Sequence, residues 1–206
     1  MHTHDDPTYD ILQSKLPYCT AVVKEALRLY PPAPVTVRTL KQPLTLHLDL
    51  SQDTAGHVHP TRTQAKAAQT TQSSSKSGPG PSMKETERKT QKQAVTLPAG
   101  TTLYIPIWWL HRSTQNYDNP EEFDPDRFYD PARASKIHRY AHVAFSGGAR
   151  DCVGRRFALL ETVAVFAICL RRLKFTPVEG YVLEPEAVGV VQKPKGDMPM
   201  KVEPRF

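Results

Sequence analysis

Residues 145–158 read FSGGARDCVGRRFA, a cysteine set between a glycine-bearing loop and the start of a long apolar run. At a helix N-terminus, unpaired N–H groups and the positive end of the dipole stabilise anions, and Cys152 stands where that field would act on a thiolate. Arg150, Arg155 and Arg156 add positive charge around it. Gly147, Gly148 and Gly154 let the backbone take positive φ or lie close against something flat and bulky. A lone cysteine ahead of an apolar helix ordinarily reads as a small core residue. Core packing has no need of flanking glycines or of an arginine two positions earlier, so these neighbours point to a cysteine presented for chemistry.

Downstream, residues 153–173 carry apolar side chains on most faces (Phe157, Leu160, Val163, Phe166, Ile168, Leu170), which predicts a buried helix. The tail alternates Val188 and Val190, then Met200 and Val202, around Lys195-Gly196-Asp197, the pattern of a terminal hairpin. Upstream, 120–131 is irregular and acidic. AVTLPAGTTLYIPIWWL (94–110) predicts two short strands joined at Pro98-Ala99-Gly100, with His111 after the strand end as a support of the fold. Residues 17–30 predict a helix from the spacing of Tyr18, Val22, Val23, Ala26, Leu27 and Tyr30, stopped by Pro31-Pro32. Extended chain follows in PPAPVTVRTL, because prolines hold their predecessors out of the helical region.

Composition sets the limits. Proline is 19 of 206 residues, about 9%, against an average of about 5%. Counted with Gly and without Tyr, about 40% of residues are apolar, below the usual 45–50%. The deficit sits in 51–94, rich in Ser, Thr, Gln and Lys, with only Val58 and Met83 as large apolar residues; such a stretch is expected to be disordered. A solvated linker is the leading reading of its scattered basic residues, with an RNA- or headgroup-binding arm as the lesser one. His57 and His59 there are poor evidence for zinc. The net charge of +6 favours acidic partners without arguing nucleic acid. Three separate cysteines argue against a disulfide scaffold and a CxxC metal site, and Cys19 and Cys169 read as core residues. No apolar run approaches the ~20 residues of a membrane span, and MHTHDDPTYD does not read as a signal peptide.

Phe145, Gly148, Arg150, Cys152 and Gly154 fill all five fixed positions of F-x-x-G-x-R-x-C-x-G, and on these residues the chain resembles the cytochrome P-450 haem-thiolate family. A chance match in about 200 windows has a probability on the order of 10⁻⁴ or less at average residue usage. Two further pieces follow the family's order. Glu25 and Arg28 in KEALRLYPP look like its E-x-x-R helix, and three residues apart they share a helix face. EEFDPDRF (121–128) looks like its P-E-R-F segment, which implies that Arg127 closes an ion-pair triad with Glu25 and Arg28; each piece alone is weak, since such pairs are common on solvated faces. By resemblance the triad is structural, not catalytic.

The resemblance implies further roles. Cys152 would be the axial ligand of the iron in haem b (iron protoporphyrin IX), and Arg38 and Arg150 would meet its propionates, a carboxylate suiting the guanidinium fork. Otherwise Arg38 is an exposed strand residue. Val35, Thr36 and Val37 fall where the family lines its substrate pocket, as does the loop at 190–192, which favours a lipophilic substrate. The fold implied is mainly α with small β-sheets, the C-terminal part of the family domain interrupted by the disordered insertion. It divides into 1–50 with the E-x-x-R helix and a strand, 51–94, and a haem-binding 95–206.

The activity implied is monooxygenation of a lipophilic small molecule with O2 and electrons from an acidic redox partner such as a flavoprotein reductase or a ferredoxin, without nucleic acid. Basic Arg133, Lys136, Arg139, Arg155 and Arg156 would steer that partner, the alternative being solvated charges or pairs with Asp124, Asp126 and Asp130. By resemblance, the family's N-terminal half, with its membrane anchor and its distal acid–threonine helix, is expected to have no counterpart in these residues, which contain no A-G-x-D-T-like segment. Membrane association is expected only through that missing part. The whole protein is expected on the cytosolic face of the endoplasmic reticulum. The alternative is a truncated product that binds haem without turnover.

Overall fold

The computed structural model describes residues 8–49 and 92–205. Two compact units hold the described residues, one within Met1–Arg38 and Thr102–Phe206, the other within Thr39–Thr101. In the second unit β2 (Leu44–Asp49) and β3 (Lys92–Leu97) pair antiparallel, from Leu44 opposite Leu97 to Asp49 opposite Lys92. The stretch expected to be disordered lies outside the described residues up to its last three positions. There β3 begins at Lys92 and not at Val95.

The larger unit is organised by α2 (Pro17–Leu29), which follows a short α1 (Tyr9–Ser14). Pro17 occupies the first turn, where its missing N–H costs nothing. Tyr30 ends the helix by donating its N–H to the Ala26 carbonyl, and two prolines prevent continuation. One face of α2 buries Ala21, Val23 and Leu29 together with the charged pair Glu25 and Arg28.

The sequence places a strand at the WWL segment. The chain instead forms β4 (Thr102–Ile105) and, after Pro106, a helical turn α3 (Ile107–Leu110) that buries Ile107. Proline cannot donate to a ladder, so the strand ends before it. Nor do the two strands around Pro98 form a hairpin: β4 pairs with β1 (Thr36–Thr39), and β3 with β2. Gly100, at φ 84, makes the turn between them.

After α4 (Asp126–Tyr129), α5 (Pro131–Ala134) and the 3₁₀ turn Gly148–Arg150 comes α6 (Arg155–Arg172), which packs against α1 and α2. The expectation of a buried helix is corrected here. Among its described residues only Val163 is buried, while Phe157 and Val165 are 70% and 57% exposed. Apolar residues on every side need partners on every side, and within this chain α1 and α2 cover only part of the surface.

The expected terminal hairpin is also rearranged. β6 (Pro185–Val188) and β7 (Val191–Pro194) pair across Gly189 and Val190, with Gly189 at φ 62 supplying the positive φ of a two-residue loop. β8 (Met200–Pro204) returns to β5 (Leu173–Pro177), with Phe175 opposite Val202. Alternation on β8 thus reflects a partner more than twenty residues away in sequence, which a local reading cannot see.

Candidate functional site

Glu25 and Arg28 lie one helical turn apart and are fully buried. The Arg28 fork grips the carboxylate through Nε at 2.7 Å and Nη2 at 2.8 Å. Arg127, from α4, donates Nε to Glu25 Oε1 at 3.1 Å, and the Asp124 amide donates to the same oxygen at 2.8 Å. One carboxylate thus faces two guanidiniums. The excess positive charge is met by main-chain carbonyls: Arg28 bonds those of His111, Pro120 and Glu122, and Arg127 those of Asp118 and Asn119. Tyr117, which carries no signal in the sequence, lies buried beneath both guanidiniums, 5.0 and 5.9 Å from its ring centre. This network fastens the irregular 117–127 segment, which has almost no ladder of its own, to α2.

Two histidines carry the connection onward. His111 is fully buried; the Val143 amide donates to its Nε2 at 2.9 Å, and its Nδ1 lies 3.0 Å from the Arg28 carbonyl. An amide can only donate, so Nε2 is the acceptor and Nδ1 carries the proton. Burial, reinforced by His142, pushes the His111 pKa down to about 3. His142 stacks on it at 5.1 Å and places its own Nε2 3.0 Å from the Lys24 carbonyl; burial lowers its pKa as well. The supporting role expected of His111 is the one it fills. His142 escapes a reading of the sequence, because the partners of both rings are main-chain groups distant in the chain.

The cysteine loop follows directly. The Ser146 amide donates to the Val143 carbonyl at 2.8 Å, with Ser146 at φ 67 and Gly148 at φ 71. The Cys152 amide closes the loop on the Phe145 carbonyl at 2.9 Å, and the Arg155 amide bonds the Cys152 carbonyl at 3.2 Å as α6 begins. Cys152 is exposed, beside exposed Val153 and Phe157. A Cβ on Gly154 would stand 3.9 Å from its sulfur. The Arg150 guanidinium has no partner among the described residues.

Arg38 reaches the loop from β1, donating Nη2 to Ser146 Oγ at 2.7 Å and Nη1 to Thr36 Oγ1 at 2.9 Å. Thr36, Arg38, Ser146, Gly147 and Gly148 share the lining of a cavity of about 270 Å³. Strand alternation sends Val35 and Val37 to the opposite, exposed face. Val35, Thr36 and Val37 therefore do not form one wall. The Gln192 amide bonds the Pro32 carbonyl at 2.7 Å, which brings the 190–192 loop beside the same extended segment.

Of the five basic residues expected to form one face, Lys136 is exposed and the other four are divided. Arg133 pairs with Asp124, whose carboxyl that hydrogen bond holds below its ordinary range. Arg155 pairs with Asp151 at 2.8 Å and, with Arg139 and Lys24, lines a cavity of about 370 Å³ floored by Phe128, Phe145 and Leu159. Arg156 lines a separate groove with Leu12, Thr20 and Leu160. Among the described residues no three His, Cys, Asp or Glu side chains converge to hold a metal ion, and no helix is long and apolar enough to cross a membrane.

A family model described as Cytochrome P450 matches residues 1–48 and 78–199. The chain is 34% identical over 170 residues to Cytochrome P450 4A24 of Sus scrofa, covering 82% of this chain and 24% of that protein. It is 33% identical over 188 residues to the Taurochenodeoxycholic 6 alpha-hydroxylase of Sus scrofa (91% and 27%), and 30% identical over 164 residues to Cytochrome P450 4Z1 of Homo sapiens (80% and 23%). The chain thus spans about a quarter of the length of these relatives.

Proposed function

Since the chain belongs to the cytochrome P450 family, we propose that it carries the thiolate side of a haem monooxygenase site, with Cys152 as the axial iron ligand. The observation that carries this reading is the presentation of Cys152: exposed, with its amide fixed to the Phe145 carbonyl and its sulfur left clear by Gly154. The surroundings fit a flat apolar ring with an anionic edge. Exposed Val153 and Phe157 offer apolar contact, and Arg150, without a partner among the described residues, and the loop-facing Arg38 offer donors for carboxylates. Haem b bound there supplies thiolate-promoted cleavage of the O–O bond, with one oxygen atom passing to the substrate.

The residues of this chain would bind and orient that group. Phe145 would anchor the loop through its carbonyl, which holds the Cys152 amide, and Gly148 gives the loop its reversal at φ 71. Val35 and Val37, apolar and exposed, would meet a lipophilic small molecule, while Thr36 holds Arg38 in place. Glu25, Arg28 and Arg127 would act only through the fold. Electrons would come from an acidic flavoprotein reductase or ferredoxin meeting Lys24, Arg139 and Arg155 on the loop's flank. The whole protein would work at the cytosolic face of the endoplasmic reticulum.

Haem reconstitution tests the reading. The reduced carbonyl complex should show the red-shifted Soret band of a thiolate ligand. Cys152→Ser should abolish it and Cys19→Ser and Cys169→Ser should not; an unchanged spectrum from Cys152→Ser sinks the assignment. Haem uptake without turnover in the complete enzyme would favour a binding product over an oxygenase.

A further inference from the structure

A main-chain amide in an irregular segment has no ladder partner and must find its acceptor elsewhere. At Val143, two residues before the carbonyl that holds the Cys152 amide, the acceptor is the imidazole of His111. That ring is fixed from three sides. Nδ1 faces the Arg28 carbonyl at 3.0 Å, in the last turn of α2, where carbonyls lack helical partners. His142 stacks flat against it, 8° from parallel, and is itself bonded to the Lys24 carbonyl one turn earlier. The main chain of His111 is held by Arg28 Nη1 at 2.8 Å.

We propose that His111 is a positioning residue for the Cys152 loop: tied to α2 through Nδ1–H, it presents Nε2 to the Val143 amide and fixes where the loop begins. The neutral ring is essential to this role, because a protonated imidazole has two donors and no acceptor. The consequence for an iron site rests on reading Cys152 as its ligand; the link from α2 to the loop does not.

Two variants separate positioning from general support. His111→Gln keeps an acceptor near the position of Nε2, whereas His111→Asn keeps a polar group near Nδ1 and falls short of Val143. Amide hydrogen exchange on the full chain should show Val143 and Cys152 exchanging about three- to tenfold faster in His111→Asn, the scale of one net hydrogen bond. His111→Gln should stay close to wild type there, and amides of the β5–β8 pair should be unchanged in both. Equal acceleration in the β5–β8 pair, or an unaltered Val143 in His111→Asn, would overturn the proposal. Should His111→Asn not fold, His111→Gln decides alone: retained protection at Val143 supports it, and lost protection overturns it. Cys152→Ser should leave Val143 protected, so a failure of the axial-ligand reading in the Soret experiment is distinguishable from a failure of this one.

Discussion

Arg28 and His111 exchange hydrogen bonds, side chain for backbone: Arg28 Nη1 donates to the His111 carbonyl at 2.8 Å, and His111 Nδ1 meets the Arg28 carbonyl at 3.0 Å. Each side chain thereby satisfies the main chain of the other, and both side chains are fully buried. Arg28 is also the residue that grips Glu25. The charge network and the cysteine loop are therefore mechanically one assembly, joined at this pair.

Removing the carboxylate should be felt throughout that assembly. Glu25→Ala leaves two buried guanidiniums facing each other without an anion, a loss of about 3–5 kcal/mol. Chemical denaturation should register this or a failure to fold, and haem incorporation should be lost although Glu25 lies in the charge network and not in the loop. A normal yield of holoprotein from Glu25→Ala would refute the coupling.

The lowered His111 pKa gives a pH dependence of definite sign. In the unfolded chain the ring titrates near 6.5, and in the fold it stays neutral down to about 3. The unfolded state thus binds the extra proton first, so the stability from neutral His111 is fully present above about pH 6.5 and declines as pH falls toward 3. The slope from this one group approaches about 1.4 kcal/mol per pH unit. His142, also lowered, adds in the same direction, and Arg28 and Arg112 beside His111 oppose its protonation. Between pH 6.5 and 5, above the range of ordinary carboxylates, the denaturation midpoint of wild type should fall faster than that of His111→Gln. Parallel curves would remove His111 from the account.

Gly148 and Gly154 should separate backbone cost from access to the sulfur. At φ 71, with nothing within 4 Å of an added Cβ, Gly148→Ala meets only backbone strain, roughly 1–2 kcal/mol of stability. Gly154 has φ −84, which any residue adopts, but its Cβ would stand 3.9 Å from Cys152 Sγ. Gly154→Ala, whose Cβ makes only ordinary contact with the sulfur, should therefore leave the denaturation midpoint near wild type, and a fall in haem uptake would show that the sulfur's flank must stay clear. Uptake equal to wild type would show that the sulfur's flank needs no clearance.

Much of this was legible because it is local. Pro17, the apolar spacing and Pro31 delimit α2 to within a residue, and i,i+3 geometry alone places Glu25 beside Arg28. The motif residues around Cys152 are contiguous, so their loop could be anticipated. What escaped depends on partners distant in sequence: β8 chooses β5, β4 chooses β1, and His111 finds Val143. α6 misled for a different reason. Its apolar faces announce burial, yet burial is a property of the neighbours a chain supplies, and here they reach only Val163 fully.

Docking of an electron donor makes the last test, and the division of the basic residues sharpens it. Arg133 is already paired with Asp124, whereas Arg139 lines the cavity beside Phe145, and Arg156 lines the groove with Leu12 and Thr20. An acidic partner approaching the cysteine loop would sense Arg139 more strongly than Arg156. In a complete enzyme, Arg139→Glu should slow reduction by the protein partner several-fold, with the loss shrinking as salt screens the surface. Arg156→Glu should slow it less. Reduction by dithionite, which needs no docking, should be unaffected in both variants. Equal slowing by the two reversals would mean that net charge and not this face governs encounter, and slowing with dithionite would move the effect to the cysteine loop itself.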